Sequence, residues 1–381
     1  MSFADNIKLG DRLRAARATA GLTQEEAAKQ LDMARTTMVA IERGDREIRP
    51  DELVALASLY NLSVGSLLRP SAVHVDLVGQ FRRNLKRGDA PSEQLKSLQM
   101  LQRLATSYVE LEHRLGQQQS FDYPPVTPIG RGGLERQAED LAQEVRVRFG
   151  LGLAPIADIQ TFAELEMGLR VFVRPLPSDV SGVFAYTPEL GACVLLNRNH
   201  PPTRRSTTLA HEIAHLLTSR EEATVDTEHG RKPPTERFAD YFAAAFLMPG
   251  TAVRRAFSDH ERAASRFSPR HLILMAVKFH VSIEAMCRRL EQLDLLPAGT
   301  YDKLRSRGLN AAFVRDVLGR DYPTENERPP ARQAILAAEA YARGLLSEEQ
   351  VAELLAVDRV EVRRILDALT DDLDLEPDRD G

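Results

Sequence analysis

The sequence contains few cysteines, the residues whose disulfides stabilise many secreted proteins, and no apolar run long enough to anchor a membrane protein. Of 381 residues, two are cysteines, none is tryptophan and 6% are aromatic. Cys193 and Cys287 lie far apart, which excludes a dense disulfide framework and a C-x-x-C metal motif and is typical of free thiols in a reducing compartment. No apolar run approaches the roughly 20 residues that cross a bilayer, and the N-terminus does not resemble a secretory signal. We therefore expect a cytoplasmic protein without a membrane partner.

The chain also lacks an excess of basic residues. It has 50 Lys and Arg against 55 Asp and Glu, a formal net charge of −5, and its first 70 residues contain ten charges of each sign. A strongly basic footprint, which drives non-specific binding to nucleic acid, is therefore excluded. DNA binding by this chain would depend on one localised face and on dimerisation.

The most informative residues that are present form an H-E-x-x-H motif, which is His211-Glu212-Ile213-Ala214-His215. Residues four apart share one face of a helix, so His211 and His215 can direct ring nitrogens at one zinc ion about 2 Å away. Glu212 is their neighbour and can act as general base on a water molecule that the ion activates. Apolar residues around the motif recur at helical spacing and predict one buried stripe on this helix.

A second predicted helix follows, with two carboxylates four residues apart. Residues 236–249 are mostly apolar but include Glu236 and Asp240, which share one helix face. A hydrolytic zinc site uses three protein ligands, so Glu236 can be the third, while Asp240 can accept the outer N–H of a ligand histidine. The alternative is that the histidines are structural and the carboxylates are solvated partners of arginines. Two motifs in this order favour the metal site.

Together the runs T-L-A-H-E-I-A-H-L-L and E-R-F-A-D-Y-F-A-A-A-F-L-M-P resemble the ImmA/IrrE metallopeptidases. The resemblance implies a zincin-like domain with a gluzincin-like site, in which His211, His215 and Glu236 bind the metal and Asp240 supports them. It implies Zn2+ as cofactor, with Mn2+ as an alternative activating metal. Peptide hydrolysis is the expected reaction, in which Glu212 takes a proton and later returns it to the leaving amine.

Before the H-E-x-x-H motif, the sequence predicts a helix and a small antiparallel sheet. The helix spans 134–149, and β-prone segments follow at 169–174, 180–186 and 192–197. Peptidases bind extended peptides along a sheet edge, so this sheet can align substrate beside the metal; a sheet that only buries the two helices fits the sequence equally well. Tyr186 and Tyr241 are two candidates for a donor to the oxyanion, and the sequence does not select between them.

The first 70 residues predict an all-α DNA-binding domain. A first helix ends at Gly21, Thr23 and Glu26 form a capping box for the second, and a third helix over 35–43 ends at Gly44. The run G-L-T-Q-E-E-A-A-K-Q-L-D-M-A-R-T-T-M-V-A-I-E-R-G resembles the Cro/CI or XRE helix-turn-helix family. The resemblance implies a double-stranded DNA operator as partner.

The third of these helices is the predicted recognition helix. Base and phosphate contacts are predicted for Gln24, Arg35, Thr36, Thr37, Val39, Arg43 and Arg46. Val39 and Ala40 offer only methyl groups, which suit contacts with thymine rather than hydrogen bonds with base edges. A protein-binding helical module is the alternative for this domain.

Three further regions complete the predicted organisation. Apolar side chains over 101–115 recur at helical spacing and form either a dimer seam or a stripe packed inside the chain. A Pro- and Gly-rich linker covers 121–133, and helical residues 345–369 precede an acidic end that favours partner or dimer docking. The predicted regions are a DNA-binding domain (1–70), a helical connector (71–133), a peptidase domain (134–255) and a helical C-terminal region (256–381).

These patterns predict a mainly α protein with a small antiparallel sheet, an α+β fold. The functional hypothesis is a homodimeric DNA-binding regulator fused to a zinc endopeptidase that cleaves a Cro/CI-type repressor, either its own chain or a partner. Two other classes remain: a repressor whose metal site is structural or sensory, and an antitoxin-like module that silences a partner by binding. Glu212 distinguishes the endopeptidase from these two classes, because a structural or sensory site needs no general base.

Overall fold

The structure is a computed structural model that describes most of the chain. The described residues are 3–60, 92–119, 122–220, 223–227, 232–264, 266–319 and 329–370, with Val64, Leu67, Leu77, Phe81 and Tyr322. Within them, seventeen helices and four strands form a mainly helical α+β fold, which confirms the predicted fold class.

The elements follow one another along the chain in a fixed order. The first are α1 (Phe3–Thr19), α2 (Gln24–Gln30), α3 (Arg35–Arg43), α4 (Pro50–Leu59), α5 (Ser92–Leu115), α6 (Leu134–Arg148), α7 (Ile159–Leu165), β1 (Arg170–Arg174), β2 (Val180–Thr187) and β3 (Gly191–Asn197). The rest are α8 (Pro202–Thr218), β4 (Thr224–Thr227), α9 (Pro234–Leu247), α10 (Gly250–Ala264), α11 (Pro269–Lys278), α12 (Ile283–Gln292), α13 (Thr300–Ser306), α14 (Ala311–Leu318), α15 (Ala331–Ala342), α16 (Glu348–Leu355) and α17 (Arg359–Thr370). None of the helices described here has both the length and the apolar character needed to cross a membrane.

Helices α1 to α4 share a small core of their own, to which Met38 and Ile41 contribute. The predicted capping box is present, because the Glu26 N–H donates to the Thr23 hydroxyl at 3.2 Å and the Thr23 N–H donates to the Glu26 carboxylate at 2.8 Å. Helix α3 ends at Gly44, whose φ of 76° is left-handed and therefore suits glycine. The predicted helix-turn-helix order is confirmed.

The four strands form one mixed sheet in the order β1-β3-β2-β4. Strand β2 pairs antiparallel with β3 and β4, but β1 pairs parallel with β3. The prediction of a wholly antiparallel sheet is therefore wrong for β1. The physical reason is the connectivity: β1 and β2 run in opposite directions, and β3, returning from β2 through the turn at 188–190, inserts between them.

Alternate side chains of the sheet enter two different cores. In β3, Val194 and Leu196 pack with α6, α8 and α9, whereas Cys193 and Leu195 pack with α5 and α15. Opposite orientation of successive side chains is the normal geometry of a strand, here with both faces covered. The sheet is therefore a middle layer, with the H-E-x-x-H helix α8 on its front face and α5 and α15 on its back face.

The apolar stripe of α5 packs inside the chain. Leu101, Tyr108 and Leu115 belong to the back core of the sheet, together with Leu336 and Ala340 of α15. Of the two interpretations of this stripe, the structure supports intramolecular packing. The stripe is thus not available as a dimer seam in this conformation.

A buried ion cluster joins α5, the sheet and α15. Glu112 of α5 pairs with Arg170 of β1, and its other oxygen lies 2.9 Å from a guanidinium nitrogen of Arg332 in α15. Both side chains of the first pair are almost completely buried. A carboxylate is tolerated at this depth because two guanidinium groups compensate its lost hydration.

Glu164 is a second buried carboxylate on the back side of the fold. It lies in α7, is 1% exposed, and faces the first residues of α15. Burial raises the pKa of Glu164 to about 8, although the N–H groups of Ala331 and Arg332 oppose the shift. The folded protein therefore keeps a proton on Glu164 that the unfolded chain releases near the ordinary pKa of 4.5.

We predict that the free energy of unfolding decreases between pH 4.5 and about 8 because of Glu164. The folded pKa is the higher one, so the stabilisation is complete below the unfolded pKa and is lost as the pH rises, by up to about 1.4 kcal/mol per pH unit. Urea unfolding across this range measures the slope, and Glu164→Gln should reduce it. The exposed neighbour Glu166 offers the control Glu166→Gln; an equal effect of both variants would contradict the assignment.

Candidate metal centre

Helices α8 and α9 bring three side chains with metal-binding atoms to one point. His211 and His215 lie one turn apart on α8, Glu236 lies in the first turn of α9, and their donor atoms are within 4.8 Å of one another. His211 Nε2 is 3.0 Å from Glu236 Oε2 and 3.2 Å from His215 Nε2, and His215 Nε2 is 3.4 Å from Glu236 Oε1. Two imidazole nitrogens and one carboxylate form a donor set that hydrolytic zinc sites use.

The local sequence explains why these side chains face one another. In α8, Leu209, Ile213 and Leu216 are buried in the front core, which fixes the rotation of the helix about its axis. Helix α9 begins at Pro234, a residue suited to the first helical turn. Glu236 therefore lies at the positive end of the α9 dipole, where a carboxylate is stabilised.

Asp240 lies one turn after Glu236 and orients the ring of His211. The His211 Nδ1 and the Asp240 Oδ1 are 3.0 Å apart, which favours a proton on Nδ1 and directs the lone pair of Nε2 towards the other ligands. Lys232 donates to both oxygens of Asp240, at 2.9 and 2.8 Å. The series Lys232, Asp240, His211 therefore fixes the imidazole from its outer side.

The electrostatic field between the ligands favours a positive charge. Burial lowers the pKa of His211, but bonds with Asp240 and Glu236 outweigh this effect and raise the pKa to about 10. Burial raises the pKa of Glu236, but hydrogen bonds from His211 and His215 outweigh it and hold that pKa well below its usual range. A metal ion would replace the proton between His211 Nε2 and Glu236 and would meet the same negative charge. The residues present therefore fit a metal ion.

Glu212 lies next to the first ligand in a closed environment. Its side chain is 0% exposed, and neither carboxylate oxygen forms a hydrogen bond of ordinary length within the described part of the chain, although the hydroxyl of Thr224 in β4 is close enough to lower its pKa. Burial raises the pKa of Glu212 well above its usual value, against the opposing charge of His211. A buried carboxylate without a close donor destabilises the fold. Its presence therefore needs an explanation other than stability.

Three residues near the site were not singled out from the sequence. Gly182 of β2 lies against Glu212, Asp226 of β4 pairs in register with Gly182, and Lys232 binds Asp240. A glycine inside a predicted strand often marks a close approach and was the available signal for Gly182. Asp226 and Lys232 had no comparable signal, because their proximity to the ligands depends on how β4 and α9 are placed.

The two candidate oxyanion donors occupy different surroundings. Tyr186 packs edge-on against Tyr123, with ring centroids 6.0 Å apart, and lies beneath the guanidinium group of Arg220. Tyr241 follows Asp240 on α9 and is half-buried at the margin of the front core. The choice between the two tyrosines stays a prediction.

The side chains predicted to contact DNA from α3 lie on its outer face. The exposed or half-buried residues of this set are Arg35, Thr36, Thr37, Val39 and Arg43. The opposite face of α3 is buried in the core of the N-terminal helices. A recognition helix needs an outer face of this kind, as does any surface helix, and the individual DNA contacts stay predictions.

The two predicted contacts outside α3 are held by glutamates of the same domain. Gln24 Nε2 donates to Glu42 at 2.8 Å, and Arg17 pairs with the same buried carboxylate at 2.5 Å. Arg46 donates to Glu52 at 3.0 Å. These bonds fix α2 and α3 relative to their neighbours. Gln24 and Arg46 are thus partly engaged before any DNA binds.

Comparison with known proteins gives two domain matches. Residues 165–291 match a peptidase-family model described as the IrrE N-terminal-like domain, and residues 8–69 match a helix-turn-helix domain model. Over 62 residues the chain is 42% identical to the HTH-type transcriptional regulator ImmR of Bacillus subtilis (strain 168), a match that covers 16% of this chain and 49% of that regulator. The chain thus spans about half the length of this curated relative.

One solved structure aligns over most of the chain. It is the crystal structure of ComR from Streptococcus suis, with 11% sequence identity, coverage of 97% of this chain and 94% of that chain, and a TM-score of 0.16. A score this low carries no argument about the fold. The domain matches therefore rest on the sequence alone.

We predict that the full chain binds one zinc ion and that Glu236→Gln weakens its affinity at least about 100-fold, because it removes the anionic ligand. Asp240→Asn should weaken the affinity about 10-fold to 100-fold through the orientation of His211. Competition with a chromophoric chelator measures both. Glu261→Gln, an exposed change on α10, is the matched control, and equal affinities of Glu236→Gln and this control would contradict the ligand assignment.

Proposed function

We propose that this chain, which joins a helix-turn-helix DNA-binding domain to an IrrE N-terminal-like domain, is a transcriptional regulator with a zinc-dependent endopeptidase activity. The proposed substrate is a repressor protein, either this chain itself or a partner, whose cleavage relieves repression. The observation that carries the proposal is the position of Glu212, a fully buried carboxyl group beside three converging metal-binding groups.

Each residue of the site has a distinct role in the proposed reaction. His211, His215 and Glu236 would hold the zinc ion, and Asp240 would keep the proton of His211 on Nδ1. When bound, zinc supplies a Lewis acid that polarises a peptide carbonyl and lowers the pKa of a water molecule. Glu212 would take the proton of that water on a carboxylate oxygen and return it to the leaving amine.

The surroundings of Glu212 support this role because they exclude bulk water. The carboxylate is fully buried between α8 and the β2 backbone. A proton placed on Oε1 or Oε2 therefore stays within the site until the leaving amine accepts it. An exposed glutamate would instead exchange its proton with solvent.

Strand β4 is the proposed place where the substrate backbone binds. It stands at one end of the four-stranded order, and its Asp226 is in register with Gly182, whose position touches Glu212. An extended peptide can add to a sheet edge through main-chain hydrogen bonds, which places successive peptide groups at regular intervals. Pairing with β4 would thus align the substrate along the edge of the sheet on the side of the site.

A structural or sensory metal site is the alternative function, and Glu212 argues against it. Such a site needs ligands and their outer hydrogen bonds, which His211, His215, Glu236 and Asp240 supply. It does not need a further buried carboxylate, which destabilises the fold. An antitoxin-like module would need neither the metal-binding side chains nor Glu212.

We predict that zinc-loaded full-length protein cleaves a labelled Glu212→Gln copy of the chain at a defined position, because the proposed repressor substrate can be the chain itself. The Glu212→Gln enzyme should bind zinc normally and show at least about a 100-fold lower rate, as expected for loss of a general base. Mass spectrometry of the fragments measures the products. A panel of other helix-turn-helix proteins, tested in parallel, covers cleavage of a partner.

The control for this experiment is Glu166→Gln, the same chemical change at an exposed position. It should leave both zinc content and rate unchanged. Cleavage of any protein in the panel at equal rates by the wild type and Glu212→Gln would remove the proposed role of Glu212. Absence of cleavage in every combination, with zinc bound, would instead favour the structural or sensory alternative.

We predict that Arg35→Ala weakens binding of the full chain to DNA selected from a random library, because Arg35 lies exposed at the start of α3. Loss of a base contact should cost about 5-fold to 100-fold in affinity, whereas loss of a phosphate contact should also lower the salt slope by about one. Gel-shift titrations at several salt concentrations separate the two. Arg136→Ala on the exposed side of α6 is the control, and equal affinities of the two variants would contradict the recognition-helix assignment.

A further inference from the structure

We propose that Gly182 is a positioning residue for Glu212, because the absence of a side chain at this point of β2 provides the space that the Glu212 carboxylate occupies. The inference rests on the proposed function in one respect, which is that Glu212 acts as the general base. It adds a requirement from a separate element of the fold, the second strand of the sheet.

The space around Gly182 is too small for even one methyl group. A Cβ atom at this position would lie 2.7 Å from Glu212 Oε1 and 2.6 Å from Thr208 Cγ2. Non-bonded carbon atoms reach their optimal separation at about 3.5–4.0 Å, so both contacts would be strongly repulsive. Glycine is the residue at position 182 that leaves the observed carboxylate position open.

The backbone conformation does not explain the glycine. The φ angle of Gly182 does not lie in the left-handed region, so an L-residue could adopt its backbone conformation without strain. Glycine inside a strand also reduces stability, since it loses more conformational freedom on folding than other residues. The requirement at this position is therefore for space and not for an unusual dihedral angle.

Strand β2 is paired on both sides at the position of Gly182. Gly182 is in register with Leu196 of β3 on one side and with Asp226 of β4 on the other. Both neighbouring strands pair with its backbone, and the back core covers the opposite face of the sheet. A Cβ at this position would therefore remain directed at α8.

The helix side of the contact offers one group that can yield. Thr208 and Glu212 lie one turn apart on the same face of α8, and Thr208 is β-branched and therefore stiff at χ1. Glu212 has more rotatable bonds, so a methyl group at position 182 would displace its carboxylate first. Displacement of a reacting group by about 1 Å can reduce a rate by about 100-fold.

The test compares two proteins that both carry Thr208→Ser, one with Gly182 and one with Gly182→Ala. The Thr208→Ser substitution removes Thr208 Cγ2, so the contact of the added methyl group with Glu212 is the one that is measured. Two readouts are used: the visible absorption spectrum of the Co2+-loaded full chain, and the cleavage of the labelled Glu212→Gln chain. We expect normal Co2+ stoichiometry, a spectrum altered in the same way as that of Glu212→Gln, and a kcat about 100-fold lower at an unchanged KM.

Gly250→Ala is the matched control. This glycine is also buried, and a Cβ there would meet another carboxylate, Glu139 Oε1, at 2.9 Å, but away from the metal-binding side chains. It should keep the spectrum and the kcat of the wild type. A Gly182→Ala variant that likewise keeps both would overturn the proposal, as would an equal loss in both variants.

If the Gly182→Ala variant fails to fold, a second variant that also carries Glu212→Ala shows the cause, because it removes the carboxylate from the contact. Recovery of folding in the combined variant, measured by thermal unfolding, supports the steric contact. Failure of both would overturn the proposal, because the glycine would then be needed by β2 itself. If the wild type cleaves nothing, the proposed function fails, while the Co2+ spectrum still decides the role of Gly182.

Discussion

The contact between His211, His215 and Glu236 is the interaction on which the remainder of the site depends. Three ionisable groups at this depth lose most of their hydration, which would destabilise the front core without compensation. Asp240 and Lys232 compensate His211 from the outer side, and a divalent cation would compensate all three from the inner side. The apolar residues of α8 and α9 bring the two helices together and fix their rotation, and these polar contacts then link the side chains that meet between them. The candidate metal site and the packing of the two helices are therefore parts of one arrangement.

The sheet connects this arrangement to the back of the fold. Its front face covers α8, while its back face packs against α5, which precedes the H-E-x-x-H helix in the chain, and α15, which follows it. The cluster of Glu112, Arg170 and Arg332 joins those segments at a strand whose other face borders the front core. The chain that leaves the helix-turn-helix domain therefore enters the same body as the sheet.

The pairs His211–His215 and Glu236–Asp240 were predictable because residues four apart share one face of a helix, and the helix-turn-helix was predictable from its local caps and turns. His211 and His215 share a face whatever surrounds them, and the Thr23–Glu26 capping box is a local contact. The order of the strands was not predictable in this way, because the insertion of β3 between β1 and β2 is decided by packing between distant segments. The same holds for Lys232 and Asp226, which reach the site through the placement of α9 and β4. Gly182 lies between these cases. A glycine inside a strand was a visible signal of a close approach, but the sequence did not show that Glu212 is the group that approaches it.

Zinc K-edge X-ray absorption spectroscopy of the zinc-loaded full chain tests the central claim most directly. We expect four nitrogen or oxygen ligands at about 2.0–2.2 Å, with scattering from two imidazole rings and no sulfur. Glu236→Gln should change the oxygen shell while the two imidazoles remain. A sulfur shell at about 2.3 Å, which would require Cys193 or Cys287, or a shell without imidazole scattering would contradict the assignment of His211, His215 and Glu236.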